Sequence, residues 1–254
     1  METAILIAVG LILLPYFLNP ILLRIKLRGY FEPNIIAVPV ESLPPEVRSY
    51  LDSSINDFSQ VGFYHCTYAK MQNYDNTGEV YISLWFHGQK GISAYPSIAY
   101  IHLPNQPVKV FAKSICFITR FSESSQYETS ISGVPSPLAP NPQRPCVQLP
   151  KTMVFQELFA AHQILAEKFH PSGERMRVIK GQEFATMKRK MVEINQYQID
   201  MGRWAFDAMP KIYHLTWRGA VINGWQHAWP IKGLRKWLLD KRAEQLRKSL
   251  SAGK

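Results

Sequence analysis

The sequence predicts an α+β fold: an N-terminal transmembrane helix, then an antiparallel sheet of about five strands packed with helices, then a helical C-terminal tail. Three observations carry this expectation. Residues 4–23 (AILIAVGLILLPYFLNPILL) form a continuous apolar run. Segments of alternating polarity fill residues 63–131, and helical periodicities follow them, the order of an α+β chain. Finally, residues 211–254 carry a net charge of +8, while residues 29–210 sum to zero.

The apolar run comes first. At about 1.5 Å of rise per residue it covers roughly 30 Å, the hydrocarbon thickness of a bilayer. A cleavable signal peptide would want positive charge before the run and a small-x-small site after it. Here Glu2 precedes it and Leu22-Leu23-Arg24-Ile25-Lys26 closes it, which favours a retained signal-anchor. A buried core helix is seldom apolar on every side over such a length. Pro15 and Asn19-Pro20 are tolerable in a membrane helix, although they kink or shorten it. With Arg24, Lys26 and Arg28 on the exit flank, the positive-inside rule places the N-terminus outside and the rest in the cytoplasm. The expected organisation is a single-pass membrane protein. Residues 1–28 form the anchor with its basic flank, 29–210 a cytoplasmic α+β domain and 211–254 a Trp-rich, basic helical segment.

A hydrophobic content of 46% is that of a folded chain rather than a disordered one. Cys66, Cys116 and Cys146 are odd in number and lack C-x-x-C spacing, so they read as reduced thiols. Tyr30 to Leu43, with prolines at 33 and 39, predicts an extended connector. Pro44-Pro45 opens a helix to about Gln60, with Val47, Leu51, Ile55 and Phe58 on its inner face. Phe63–Met71 and Val80–Phe86 alternate around the turn Tyr74–Gly78 and predict a hairpin. Ile98–Leu103, Val108–Phe121 and Tyr127–Ile131 complete the sheet. A proline-rich stretch, residues 133–150, leads to a helix at Met153–Phe169 capped by Thr152. Helices are also predicted over Gln182–Phe206, Ile212–Trp229 and Leu234–Leu250.

This order of parts resembles that of single-pass, membrane-anchored bacterial proteins with a cytoplasmic α+β domain. The likeness rests on the N-terminal run, on Gln60-Val61-Gly62-Phe63, and on the strand pair Phe117-Ile118-Thr119-Arg120-Phe121 and Tyr127-Glu128-Thr129-Ser130. Leu215-Thr216-Trp217-Arg218-Gly219-Ala220 and Pro230-Ile231-Lys232 continue it. It implies architecture and location, but no activity and no functional residue.

No phosphate-binding glycine loop, dinucleotide fingerprint, zinc-protease helix or nucleophile elbow occurs, so no cofactor is expected. His65 and Cys66 alternate on a strand and point to opposite faces. His87 precedes Gly88 at a turn, where exposure is expected. His162, His214 and His227 lack the close spacing of metal ligands, and Glu123, Glu128 and Glu157 are too scattered for an acid–base pair.

The tail carries more. Trp217, Val221, Trp225 and Trp229 recur every four residues on one helical stripe, to pack on the sheet or to sit at a membrane interface. Beyond Pro230, an apolar arc of Leu239, Ala243, Leu246 and Leu250 faces away from most of the charge. The contact residues expected for a membrane surface or a partner are Arg24, Lys26, Arg28, Trp225, Trp229, Lys232, Arg235, Lys236, Trp237, Lys241, Arg247 and Lys248. Anionic lipid is the expected partner, a protein of a membrane complex the second, and a neutral body argues against nucleic acid. The expected function is a non-catalytic binding or accessory role at the membrane surface. A hydrolase or lipid-modifying enzyme with a motif-free pocket is the alternative.

Overall fold

The structure, a computed structural model, describes all residues except 1, 73–77, 102–108, 123–124, 133–135, 137, 151–152, 172, 178, 180 and 253–254, with side chains described within residues 14–250. The architecture is α+β, built on two sheets. The larger has seven strands in chain order: β2 (Asn34–Val38), β3 (Tyr64–Gln72), β4 (Gly78–His87), β5 (Ile92–Ile101), β6 (Lys109–Arg120), β7 (Gln126–Ile131) and β8 (Cys146–Gln148). Neighbours are antiparallel as far as β7, and β8 joins in parallel. The expectation of about five antiparallel strands is therefore corrected to a mixed sheet of seven. β2 occupies the predicted connector. It lies at the sheet edge between Pro33 and Pro39, where a missing N–H does not interrupt a central ladder. β8 fits in the short run between Pro145 and Pro150. β5 reaches back through Pro96. Its pairing with β4 runs to Ile82–Ser97 and resumes at Trp85–Ala94, so the proline sits at a gap in that ladder.

Helices cover both faces of this sheet, because alternate residues of its strands are apolar on both sides. On one face, α2 (Pro45–Asp52) packs Val47 and Leu51 against Tyr81, Ile98 and Tyr100. Beside it, α3 (Ile55–Gln60) and α4 (Phe155–Phe169) bring Phe58, Phe155, Leu158 and Phe159 onto Trp85 and Phe117. Phe58 is fully buried and stacks on Trp85 at 5.0 Å, so truncating it to alanine should cost about 3–5 kcal/mol. On the other face, α5 (Glu183–Asp200) lays Phe184, Met187 and Met191 over Ile82, Leu84 and Phe86. The single helix expected to Gln60 is two, because the chain breaks at Ser53-Ser54.

The second sheet has the order β1 (Arg28–Tyr30), β10 (Ile212–Leu215), β9 (Trp204–Asp207), all antiparallel. Both β9 and β10 lie where the sequence predicts helix. Helix α5 stops at Asp200, and Gly202, at φ 64°, turns the chain into β9. Thr216 then opens α6 (Trp217–His227), its hydroxyl accepting from the Gly219 N–H at 3.0 Å. Across β1 and β10, Gly29 faces Tyr213, whose ring occupies the space a β-carbon would need and stacks on Trp204 at 4.0 Å.

Helix α1 (Glu2–Lys26) is the main correction. Among the described residues no helix is long and apolar enough to cross a membrane. The expected transmembrane anchor therefore falls, and with it the single-pass topology and the sidedness drawn from it. The physical reason lies in residues 14–26. Pro15 and Pro20 both sit inside the helix, and Arg24 and Lys26 fill its last turn. One side of α1 is also committed to α6: Pro20 is buried against Gly224, and the Arg24 guanidinium donates to the Leu215 carbonyl.

Candidate docking face

Helices α1 and α6 run antiparallel, since Tyr16 meets Trp225 and Trp229 at one end while Arg24 meets Leu215 and Trp217 at the other. Contact is close because α6 turns Gly219, Ala220, Asn223 and Gly224 inward. The Trp stripe does not pack on the sheet. Trp217, Trp225 and Trp229, with Trp237 of α7 (Ile231–Ala252), are 48–77% exposed. The outer side of α1 continues this surface with Phe17, Ile21 and Ile25, and α7 adds Leu234. So many large apolar groups on neighbouring elements are far more than the single exposures any folded surface shows.

Basic groups rim the face. Arg24 lies over the Trp217 ring at 5.2 Å, and Lys241 over Trp237 at 4.9 Å. Lys26, Arg28, Lys232 and Lys236 are exposed. Arg235 is half-buried and donates to the Ser136 carbonyl at 3.4 Å. Arg247 and Lys248 stand apart from this group. The apolar arc beside them is used internally: Ala243 is buried, and Leu246 and Leu250 pack on the cluster that holds Phe155 and Leu158. Arg247 is spent on Glu244 of its own helix at 2.9 Å. The structure thus leaves ten of the twelve expected contact residues around the α1–α6–α7 surface and sets Arg247 and Lys248 apart from it, on the stretch of α7 whose apolar arc packs on the core.

The residues weighed for chemistry are dispersed. His65 stacks near Trp85 on one face of the sheet, and Cys66 packs with the α5 cluster on the other. Burial and Glu183 push the Cys66 thiol up to about 11, so it stays protonated at neutral pH. His87 is buried rather than exposed, lying between Phe63 and Phe159. His162 is wholly buried, with Thr119 Oγ1 and Thr129 Oγ1 at 2.9 and 3.0 Å from its two ring nitrogens. His214 pairs with Asp207 on the small sheet at 3.1 Å, and His227 ends α6. Among the described residues no three His, Cys, Asp or Glu side chains are placed to hold a metal ion. Glu123 lies outside the described residues, and Glu157 sits in the first turn of α4.

Glu128 has a partner that the sequence hid. Lys190 of α5 reaches it at 3.1 Å, and the Cys146 thiol donates to its other oxygen at 3.4 Å. Burial opposes the charge on Glu128. Lys190 and the thiols of Cys116 and Cys146 outweigh it and hold the carboxyl below its ordinary range. The same environment pushes the Cys146 thiol up to about 12. Lys190 falls between the inward-facing Met187 and Met191, at helical spacing that the mixed composition of α5 conceals.

The described residues include open grooves. One, of about 590 Å³, is lined by Gln163, Ile164, Glu167, Lys168, Pro171 and Arg175. The other, of about 450 Å³, lies between Gln60–Gly62 and His87–Gln89. Neither gathers a nucleophile with a base. No family model, curated protein or solved structure matches the chain.

Proposed function

We propose that the chain is a non-catalytic binding protein that lies against an anionic lipid surface through its α1–α6–α7 face. One observation carries the reading: four exposed tryptophans and the outer side of α1 form one apolar surface rimmed by Arg24, Lys26, Arg28, Lys232, Lys236 and Lys241. Indole rings suit the headgroup boundary, being apolar with a single N–H. Basic groups beside them add attraction to anionic headgroups, about 1 kcal/mol for each one near the surface. Such a helix pair lies on a bilayer and need not cross it.

The test is sedimentation of the full chain with phosphatidylcholine vesicles, with and without phosphatidylglycerol. Binding should require the anionic lipid, weaken with salt and shift tryptophan emission to the blue. Indifference to both kinds of vesicle at low salt sinks the proposal.

A further inference from the structure

Helix α1 is longer than the surface that holds it. The elements it packs on are α6 and β10. Contact begins at Tyr16, whose hydroxyl donates to the Trp229 carbonyl and whose own carbonyl accepts from Trp225 Nε1 at 3.1 Å. It continues through Pro20 against Gly224 and reaches Arg24, which donates to the Leu215 carbonyl. Trp229 already lies beyond the last residue of α6, His227. Helix α6 is therefore used up at Tyr16, whereas α1 starts at Glu2.

The two halves of α1 also differ in chemistry. Residues 4–13 read AILIAVGLIL, with no charge and no hydrogen-bonding side chain, while Arg24 and Lys26 stand at the end held by the body. Where α1 leaves α6, the face carries Tyr16, the exposed Trp225 and Trp229, and then Lys232 and Lys236 at the start of α7. Apolar chain, aromatic rings and basic groups follow one another in the order of a leaflet read from its interior outward. Pro15 sits at the junction and has no N–H for the Leu11 carbonyl, so the helix bends most easily where its two halves meet.

We infer that residues 2–13 of α1 enter the acyl layer of one leaflet, with Tyr16, Trp225 and Trp229 at the headgroup boundary. The inference rests on the lipid reading above and gives it depth and direction. At about 1.5 Å of rise per residue this half-helix measures roughly 18 Å. The hydrocarbon core of a bilayer is about 30 Å thick, so one leaflet supplies roughly 15 Å of it. The segment therefore reaches through one leaflet and does not cross, in keeping with the lack of a spanning helix among the described residues. Its backbone groups bond within the helix, which an irregular segment entering hydrocarbon could not achieve. Each apolar side chain from Ala4 to Leu13 gains by leaving water.

Depth-dependent quenching tests this on the full chain. A thiol-reactive fluorophore is placed through Ile7→Cys or Phe17→Cys, and the unsubstituted chain, treated alike, corrects for Cys66, Cys116 and Cys146. Phosphatidylglycerol vesicles carry a spin label either near the headgroup or deep in the acyl chain. The label at position 7 should be quenched more by the deep spin label, and that at position 17 more by the shallow one. Ile7→Asp combined with Leu11→Asp should weaken vesicle binding at least about tenfold, since a carboxylate is costly in hydrocarbon. The same pair should leave the Tm of the lipid-free chain unchanged, because this half of α1 packs on no other element. Shallow quenching at position 7 on vesicles that do bind overturns the penetration and keeps the lipid reading. A chain that binds no vesicles overturns both. A lower Tm in the lipid-free double variant would place the segment against the body. A lipid-free dimer that the double variant dissociates would give the segment to a second copy. Either result overturns the inference.

Discussion

The indole Nε1 of Trp225 donates to the backbone carbonyl of Tyr16 at 3.1 Å. In a regular helix that carbonyl would accept from residue 20, but residue 20 is proline and has no N–H. Helix α6 therefore supplies the donor that α1 lacks, and the kink-prone helix is held from outside. Trp225→Phe keeps the ring and removes the donor, so it should destabilise the chain by about 1 kcal/mol in urea unfolding. Pro20→Ala restores the intrahelical donor, and in that background Trp225→Phe should cost nearly nothing. Equal costs in both backgrounds would show that the indole is not acting as the missing donor. Gly224→Ala tests the same seam sterically. Its β-carbon would lie 2.8 Å from the Pro20 ring and backbone nitrogen, so α1 must shift, at a cost of about 1–3 kcal/mol.

His162 makes acid stability predictable. Burial, then the Arg175 charge, lowers its folded pKa to about 3, and an unfolded histidine titrates near 6.5. The unfolded chain binds the extra proton between these values, so stability is complete above about pH 6.5 and falls as pH drops toward 3. The slope should approach about 1.4 kcal/mol per pH unit in that window. Urea titrations from pH 7 to pH 4 measure it, and His162→Gln should flatten it. A resonance assigned to the His162 imidazole that titrates near pH 6 in the folded protein would refute the assignment.

The Glu128–Lys190 pair acts in a lower window. The folded carboxyl is held down, so its contribution is present above the unfolded value of about 4.3 and is lost as pH falls through the lower folded value. Lys190 is raised despite burial, chiefly by Glu128, and its contribution fades only above about pH 10.4. Glu128→Gln leaves a buried ammonium unopposed and should cost about 3 kcal/mol. The double substitution Glu128→Leu with Lys190→Met should recover much of that loss, because both charges leave together. If the single and the double variants lose the same stability, the pair is not what the site depends on.

Local pattern revealed much of the fold, and tertiary context decided the remainder. Alternation at Phe63–Met71 and Val80–Phe86 marks β3 and β4 because each strand there faces two different layers. Ile212–Leu215 shows no such contrast, and its pairing with Trp204–Asp207 on one side and with Arg28–Tyr30, nearly two hundred residues earlier, on the other makes it a strand. Thr216 was the missed local sign, since a threonine three residues before Gly219 caps α6 and separates it from β10. The same division runs through the docking face. Its tryptophans and charges are plain in sequence, but a helical wheel cannot tell which side of α7 the core will take. Ala243, Leu246 and Leu250 go to the core, and that choice removes Arg247 and Lys248 from the face.

That choice yields the sharpest test of the face. Lys232, Lys236 and Lys241 stand with Leu234 and Trp237 at the exposed start of α7, while Arg247 and Lys248 lie beyond the turn that packs on the core. Neutralising the first three to glutamine should weaken binding to phosphatidylglycerol vesicles by about 1 kcal/mol per residue, roughly fivefold each, and should flatten the salt dependence. Neutralising Arg247 and Lys248 removes two positive charges from the same helix and should leave vesicle binding within about twofold, although it changes net charge in the same direction. A generic attraction between a basic chain and an acidic surface would make every lysine and arginine equivalent. Equal losses per charge in the two sets would establish that generic attraction and eliminate the oriented face.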